Sequence, residues 1–205
     1  MMSSHLSRLW AGTVPHPPHQ HTEEEIIIVL SGSLEVSIGA DIKHPQTIWS
    51  VFPGSIVFYR AEEWHTLRAT GLEESVYLVF RWTTPSSLVP RTEVLSRVFR
   101  MDYDSLKCRQ NSSSAMAVQP VFDIPTRYLN WLRSHLTVLT GSGGYAPHQD
   151  PYDVALVLIE GAVITAGRRF CSPAVAFFET GVPHGCRNGQ DGVSYYVALE
   201  FSRDV

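Results

Sequence analysis

No stretch of the 205-residue sequence approaches the roughly 20 consecutive apolar residues that a membrane-crossing helix requires. The opening residues MMSSHLSRLWAG also lack an apolar core of secretory-signal length, so a cytoplasmic location is expected. Lys and Arg number 16 against 20 Asp and Glu, and they are scattered. A nucleic-acid groove needs a basic stripe to displace counterions, and none is visible. Cysteine is scarce: Cys108, Cys171 and Cys186 are odd in number and widely spaced, which predicts reduced, buried thiols, with Cys171 facing Cys186 across a barrel as the alternative.

What the sequence does contain is self-similarity. HQHTEEEIIIVLSG (19–32) lies over HQDPYDVALVLIEG (148–161) at an offset of 129, and HTLRATGLEESVYLVFRW (65–82) over HGCRNGQDGVSYYVALEF (184–201) at an offset of 119. The second copy is therefore 10 residues shorter between the matched blocks, where a surface loop such as IKHPQTIW falls in the first. Both copies carry short runs rich in β-branched and aromatic residues, EIIIVL, SIVFYR, VYLVFRW, DVALVLI and VAFFET, bounded by Gly, Pro, Ser or Asp. This is an all-β pattern. Ile26, Ile27 and Ile28 in succession predict a strand with neither face in water. Between the copies, PRTEVLSRVFRMDYDSL places Val94, Leu95, Val98 and Phe99 at helical spacing behind Thr92 and predicts one short amphipathic helix. RQNSSSAMAVQP reads as a linker, and YLNWLRSHL as a strand with a helical alternative.

The chemistry concentrates in His19-x-His21-x3-Glu25, followed by His65. In a single strand the first three share a face, with Ile27 and Val29 continuing it as apolar filling. Imidazoles with one carboxylate suit a divalent transition ion such as Fe, Mn, Zn, Ni or Cu, whereas Ca and Mg take oxygen ligands. Four protein ligands on an ion that prefers six leave two places open. A lone inward His is most simply a hydrogen-bonded core residue; three with a Glu of matching parity point to a metal.

At these residues the sequence resembles the cupin superfamily. The stretch Gly12 to Gly32 fits its first motif with one extra residue before His19; Gly54 and His65 fit the second, where Arg60 replaces a Pro and Ala69 an Asn. The resemblance implies two double-stranded β-helix (jelly-roll) barrels: residues 1–85 with the metal inside, a connection at 86–127 holding the short helix, and residues 128–205 with a degenerate motif. In the second copy His148, His184 and Asn188 keep their places, Asp150 replaces the second His, and Val154 takes the Glu position, with Asp153 one residue off. That copy is either structural or holds a second metal through His148, Asp150 and His184, a two-His, one-carboxylate set.

Further candidates are Glu23, Tyr59 and Tyr77 as proton-transfer groups, and Arg60 and Arg81 as binders of an acidic substrate. Each has a plainer reading as a surface or core residue. The resemblance implies a metal-dependent enzyme acting on a small polar organic molecule, a dioxygenase first, with the ion as Lewis acid or oxygen activator. An isomerase or epimerase of a sugar or keto acid, or a non-catalytic module binding a sugar or small acid, are the alternatives. The Ile26 and Ile28 stripe is compatible with a homodimer.

Overall fold

The computed structural model describes residues 2–39, 45–84, 94–103, 105–106 and 115–203. The chain divides into two compact units, Met1–Met101 with Thr126–Tyr128, and Asp102–Pro125 with Leu129–Val205.

The first unit holds β1 (Met2–Leu9), β2 (Glu24–Ser31), β3 (Leu34–Gly39), β4 (Pro45–Val51), β5 (Ser55–Tyr59), β6 (Trp64–Ala69), β7 (Ser75–Trp82) and β8 (Arg97–Arg100). They form a five-stranded sheet in the order β1-β7-β2-β5-β8 and a three-stranded sheet β4-β3-β6. The inner core takes alternate residues from each strand: Ile27 and Val29 of β2 with Leu34, Val36, Val57 and Val79. Ile26 and Ile28, on the opposite face of β2, are also fully buried, so neither face of that strand meets water.

The second unit holds β9 (Met116–Ile124), β10 (Trp131–Leu139), β11 (Gly144–His148), β12 (Asp153–Glu160), β13 (Ala162–Thr165), β14 (Arg168–Cys171), β15 (Ala174–Phe178), β16 (His184–Asn188) and β17 (Ser194–Ser202). Its sheets run β15-β12-β17-β10-β9 and β11-β16-β13-β14. The order β10-β17-β12-β15 repeats β1-β7-β2-β5 strand for strand, as the two sequence offsets require. The shortening falls in one hairpin: β3 and β4, spanning 34–51, become β13 and β14, spanning 162–171.

The repeat extends to a turn device. Gly32 and Gly161 have φ of +76° and +85°, and a Cβ at either would meet a serine Oγ, of Ser75 or Ser194, at 2.5 Å. Each serine fastens the turn: Ser75 Oγ donates to Ser33 O at 2.9 Å, and Ser194 Oγ to Ala162 O at 2.7 Å. In the second unit Asn188 donates to the carbonyls of Gln190 and Gly192, both at 2.8 Å, and its Oδ1 shares the Ser194 hydroxyl proton with Ala162 O. Asn188 is thus a loop fastener. Gly161→Ala is expected to cost about 1–3 kcal/mol more than Gly167→Ala, whose φ is also positive but whose Cβ position is open. Chemical denaturation of the two variants checks it.

Three expectations change. The amphipathic helix is not formed: residues 97–100 are β8, paired antiparallel with β5 from Ser55↔Arg100 to Phe58↔Arg97. Sheet pairing at a free edge outweighs a helical spacing carried by four apolar residues; the predicted cap Thr92 lies outside the described residues. Helical backbone among the described residues is confined to 103, 105 and 106. Nor is 86–127 a separate connection, since 94–101 fold with the first unit, and the predicted linker ends in β9, which pairs with β10. Finally, Cys186 is buried, with its thiol pushed up to about 12 by burial, but Cys171 is exposed; both are free. No helix among the described residues is long and apolar enough to cross a membrane.

Candidate metal centre

Two of the expected ligands do not sit on the strand that carries the third. β2 begins only at Glu24, and His19 instead forms an isolated antiparallel bridge with His65 of β6. The bridge is closed both ways, His19 N to His65 O at 3.1 Å and His65 N to His19 O at 2.9 Å. His21 is placed by the β5–β6 turn, whose Glu62 N donates to His21 O at 2.7 Å. Glu62 adopts φ +61°, the left-handed region that a non-glycine residue enters only when its surroundings hold it there. Backbone pairing between sequence-distant segments therefore produces the convergence; same-strand parity does not.

The three imidazoles meet. Ring centroids lie 4.6 Å apart for His19 and His65, 4.9 Å for His21 and His65, and 5.4 Å for His19 and His21, and one ligand nitrogen from each lies within 4.8 Å of the others. His65 Nδ1 donates to Glu63 O at 2.8 Å and His21 Nδ1 to Glu23 O at 3.0 Å, which leaves Nε2 of both as lone-pair donors. Orienting a metal-binding imidazole through its other nitrogen is the usual second contact of such sites. Two nitrogens of the cluster, His65 Nε2 and His19 Nδ1, are buried without a hydrogen-bond partner. His65 is 4% exposed, and burial is the main cause that lowers its pKa to about 4; burial and then His16 lower that of His19. Unprotonated, partnerless nitrogens are what a transition-metal ion requires. The donor set fits such an ion.

Glu25 is 3% exposed, and its Oε2 lies 3.2 Å from His21 Nε2. Burial pushes its carboxyl up, but the His21 contact and the charges of Arg81 and His65 outweigh this and hold it below the usual value. Arg81, directly across the strand pair, donates through Nε to the same oxygen. With Nδ1 donating to Glu23 O, Nε2 and Oε2 face each other as two acceptors when His21 is neutral; a proton on Nε2 or a cation between them makes the contact attractive.

The remaining candidates fall out as follows. Tyr59 stacks on His65 at 4.4 Å and its buried hydroxyl has no partner; burial raises its pKa well above the usual value. Tyr77 is raised by burial and then by Glu25, and is hydrogen bonded to the Ser7 side chain. Glu23 approaches the outer nitrogen of His21, Nδ1, at 3.6 Å, on the edge away from Nε2. Arg60 pairs with Glu63 at 3.1 Å. His16 packs edge-on against His19 at 4.1 Å.

In the second unit the same scaffold recurs, with β11 and β16 pairing His148 with His184 where His19 pairs with His65. His148, Asp150 and His184 bring one ligand atom each within 4.8 Å of the others. Asp153 does face away: it accepts from Thr180 N at 2.9 Å and pairs with Arg203 at 3.1 Å.

Sequence reasoning missed Glu24 and Glu200. Glu24, 1% exposed, accepts from Trp82, Thr126, Arg127 and Tyr128 and so fixes the segment 126–128 to β2. A signal existed, since Glu24 lies one offset from Asp153 and both are buried acids on the outer faces of equivalent strands. Glu200 aligns with Arg81 at the second offset and stands opposite Val154, as Arg81 stands opposite Glu25.

Comparison with known proteins agrees with this geometry. Residues 5–81 match the Cupin domain family model. No curated protein matches the chain. A deletion mutant of the oxalate decarboxylase of Bacillus subtilis superposes with a TM-score of 0.71 at 15% identity, over 98% of this chain and 69% of that one. AerE from Microcystis aeruginosa gives 0.71 at 16%, over 98% and 87%. Another structure of the Bacillus subtilis decarboxylase, described for its Mn(II) centres, gives 0.70 at 15% over 100% and 70%. The fold is an all-β, jelly-roll cupin fold whose histidine clusters can hold a metal.

Proposed function

We propose that the chain is a bicupin, its two units being barrels related by duplication, and that the first is the centre of a metal-dependent enzyme acting on a small polar organic molecule. His19, His21 and His65 hold a divalent transition ion, with Glu25 as the acidic member of the set. The observation that carries this reading is the convergence of the three imidazoles, one nitrogen of each within 4.8 Å of the others, in a cluster where His19 Nδ1 and His65 Nε2 are buried without a partner. Leaving such atoms unsatisfied costs about 1–3 kcal/mol each, which ion binding recovers. When bound, the ion supplies Lewis acidity or activates oxygen. The His21 contact and the charge of Arg81 keep Glu25 ionised, and Arg81, paired with Glu25, is the cationic group that this reading offers to an acidic substrate. Tyr59 has its pKa raised by burial, so its hydroxyl stays protonated and is not a base.

Among reaction classes this favours a dioxygenase. An isomerase or epimerase needs a base beside the substrate, and Glu23 lies on the outer edge of His21 while both tyrosines have pKa values raised by burial. Elemental analysis of protein purified without added metal, with oxygen-uptake screening against small organic acids, tests the reading. The His19→Ala/His21→Ala variant should lose the first ion and all turnover. Activity persisting in that variant without metal overturns the assignment, and turnover without oxygen replaces the dioxygenase by an isomerase or lyase.

A further inference from the structure

The loop that carries His21 into β2 has a partner for each of its carbonyls. Glu62 N donates to His21 O and the Tyr128 hydroxyl to Thr22 O, both at 2.7 Å, and His21 Nδ1 donates to Glu23 O at 3.0 Å. His19 is bridged to His65 by backbone bonds in both directions, whereas His21 lies ahead of β2 and its backbone depends on these loop contacts. Residues 126–128, which fold with the first unit, meet the loop twice: Tyr128 at Thr22, and Thr126 Oγ1, Arg127 N and Tyr128 N at the Glu24 carboxylate. Arg127 then crosses to the β5–β6 turn, where its Nη1 donates to Glu62 Oε2 at 2.7 Å while the guanidinium lies 5.7 Å from the centre of the Tyr128 ring.

The second unit makes the same turn with different residues. Gly181, equivalent to Glu62 at the second offset, donates its N to Asp150 O at 2.9 Å, as Glu62 does to His21 O. Thr180, equivalent to Ala61, serves the acid of that unit, giving its N and Oγ1 to Asp153 Oδ1 at 2.9 and 3.0 Å. In the first unit alanine cannot do this through a side chain, and residues 126–128 hold Glu24 instead. The backbone at the turn is left-handed in both, φ +61° at Glu62 and +77° at Gly181. Gly181 shows that the bond to the loop needs no side chain at this position, and glycine enters that region freely whereas glutamate is strained there. The side chain that the first unit nevertheless keeps there reaches Arg127.

We propose that Arg127 and Tyr128 are positioning residues of the first centre: with Glu62 as the latch, they strap the loop 21–24 in place and hold His21 beside His19 and His65. This rests on the metal reading of the three imidazoles. Neither residue touches the ion. Tyr128 acts through Thr22 O, and Arg127 through Glu62, whose N–H holds His21 O. Releasing the strap lets the His21 ring withdraw while His19 and His65 stay bridged, so the centre declines from three imidazoles towards two.

Cobalt(II) titration of the metal-free full-length protein tests this, followed by the visible bands that His19→Ala/His21→Ala lacks. Arg127→Ala, Tyr128→Phe and Glu62→Gly should each weaken binding by about 10-fold, the low end of what losing an outer partner of a ligand costs, and should shift those bands. Glu62→Gly should do so without lowering the urea midpoint, because glycine relieves the strained φ. In Arg127→Ala the Glu62 amide should exchange hydrogen faster while the amides of Ile26 to Ile28 stay slow. The charge swap Glu62→Arg/Arg127→Glu should restore affinity and bands. Wild-type affinity and bands in all three variants overturn the proposal. So does a loss that tracks the urea midpoint and is not rescued by the swap, which marks a merely structural strap. Losses that simply add in Glu62→Gly/Arg127→Ala overturn the latch. A wild type that takes no ion at these bands overturns the metal reading itself, and the positioning role with it.

Discussion

His65→Ala is expected to weaken metal binding at the first centre by more than about 100-fold, while Glu25→Gln weakens it by far less. Loss of an outer hydrogen-bond partner of a metal ligand alone costs about 10–100-fold, so removing the ligand itself exceeds that. His65 is the most committed of the three imidazoles: its Nδ1 is fixed by Glu63 O, its backbone is bridged to His19 in both directions, and its Nε2 is buried without a partner. Glu25 is engaged by Arg81 and His21 before any ion arrives, so its oxygen is shared. A glutamine there keeps one oxygen and the side-chain volume. Isothermal titration of the metal-free variants with Mn(II) or Co(II) separates the two. Equal losses would mean that the carboxylate holds the ion as strongly as His65 does, and a larger loss in Glu25→Gln that it dominates the site.

Much of the fold was legible because the same residue pattern occurs twice in the sequence. The offsets of 129 and 119 align β2 with β12 and β7 with β17, and even the Gly32–Ser75 and Gly161–Ser194 fasteners follow from them. The segment 94–101 was not legible. Val94, Leu95, Val98 and Phe99 satisfy a helical period, but that period says nothing of an unpaired edge on β5, and the edge decides. Met116–Ile124 was hidden for the same reason: a polar, Ser-rich preface reads as loop, while its pairing with β10 is non-local.

At the site, residue types gave the candidate ligands, but the stated reason for their convergence was incomplete. Parity holds for Glu25, Ile27 and Val29 on β2, yet His19 and His21 precede the strand and are positioned by His65 and Glu62 through backbone bonds. The roles of Glu23 and Glu24 could not be separated by alternation, because the strand starts between them. Charge exchange between Arg81 and Glu200 was visible in the alignment of the two copies; its meaning needed the register that sets each opposite position 25 or 154.

Glu24→Ala should cause the largest loss of stability of any single change outside the metal centre, about 3 kcal/mol or more. The carboxylate is 1% exposed and accepts from Trp82 Nε1 at 2.8 Å, Thr126 Oγ1 at 2.6 Å, Arg127 N at 2.7 Å and Tyr128 N at 3.4 Å. Alanine removes the acceptor these donors share, and each buried donor left unmatched costs about 1–3 kcal/mol, although Tyr128 N keeps Thr126 Oγ1 as a second acceptor. Burial is nevertheless the largest influence on the acid and raises its pKa above 4.5 despite the four donors. The folded state thus binds the proton more tightly than the unfolded chain, so the contribution of Glu24 is greatest below about pH 4.5 and declines as pH rises through the folded value. Glu24→Gln is neutral at every pH and should lack that slope. Urea melts of wild type and Glu24→Gln between pH 4 and pH 7 read it directly: the gap between them should narrow as pH rises. A gap that widens would show that the four donors outweigh burial and hold the carboxylate ionised.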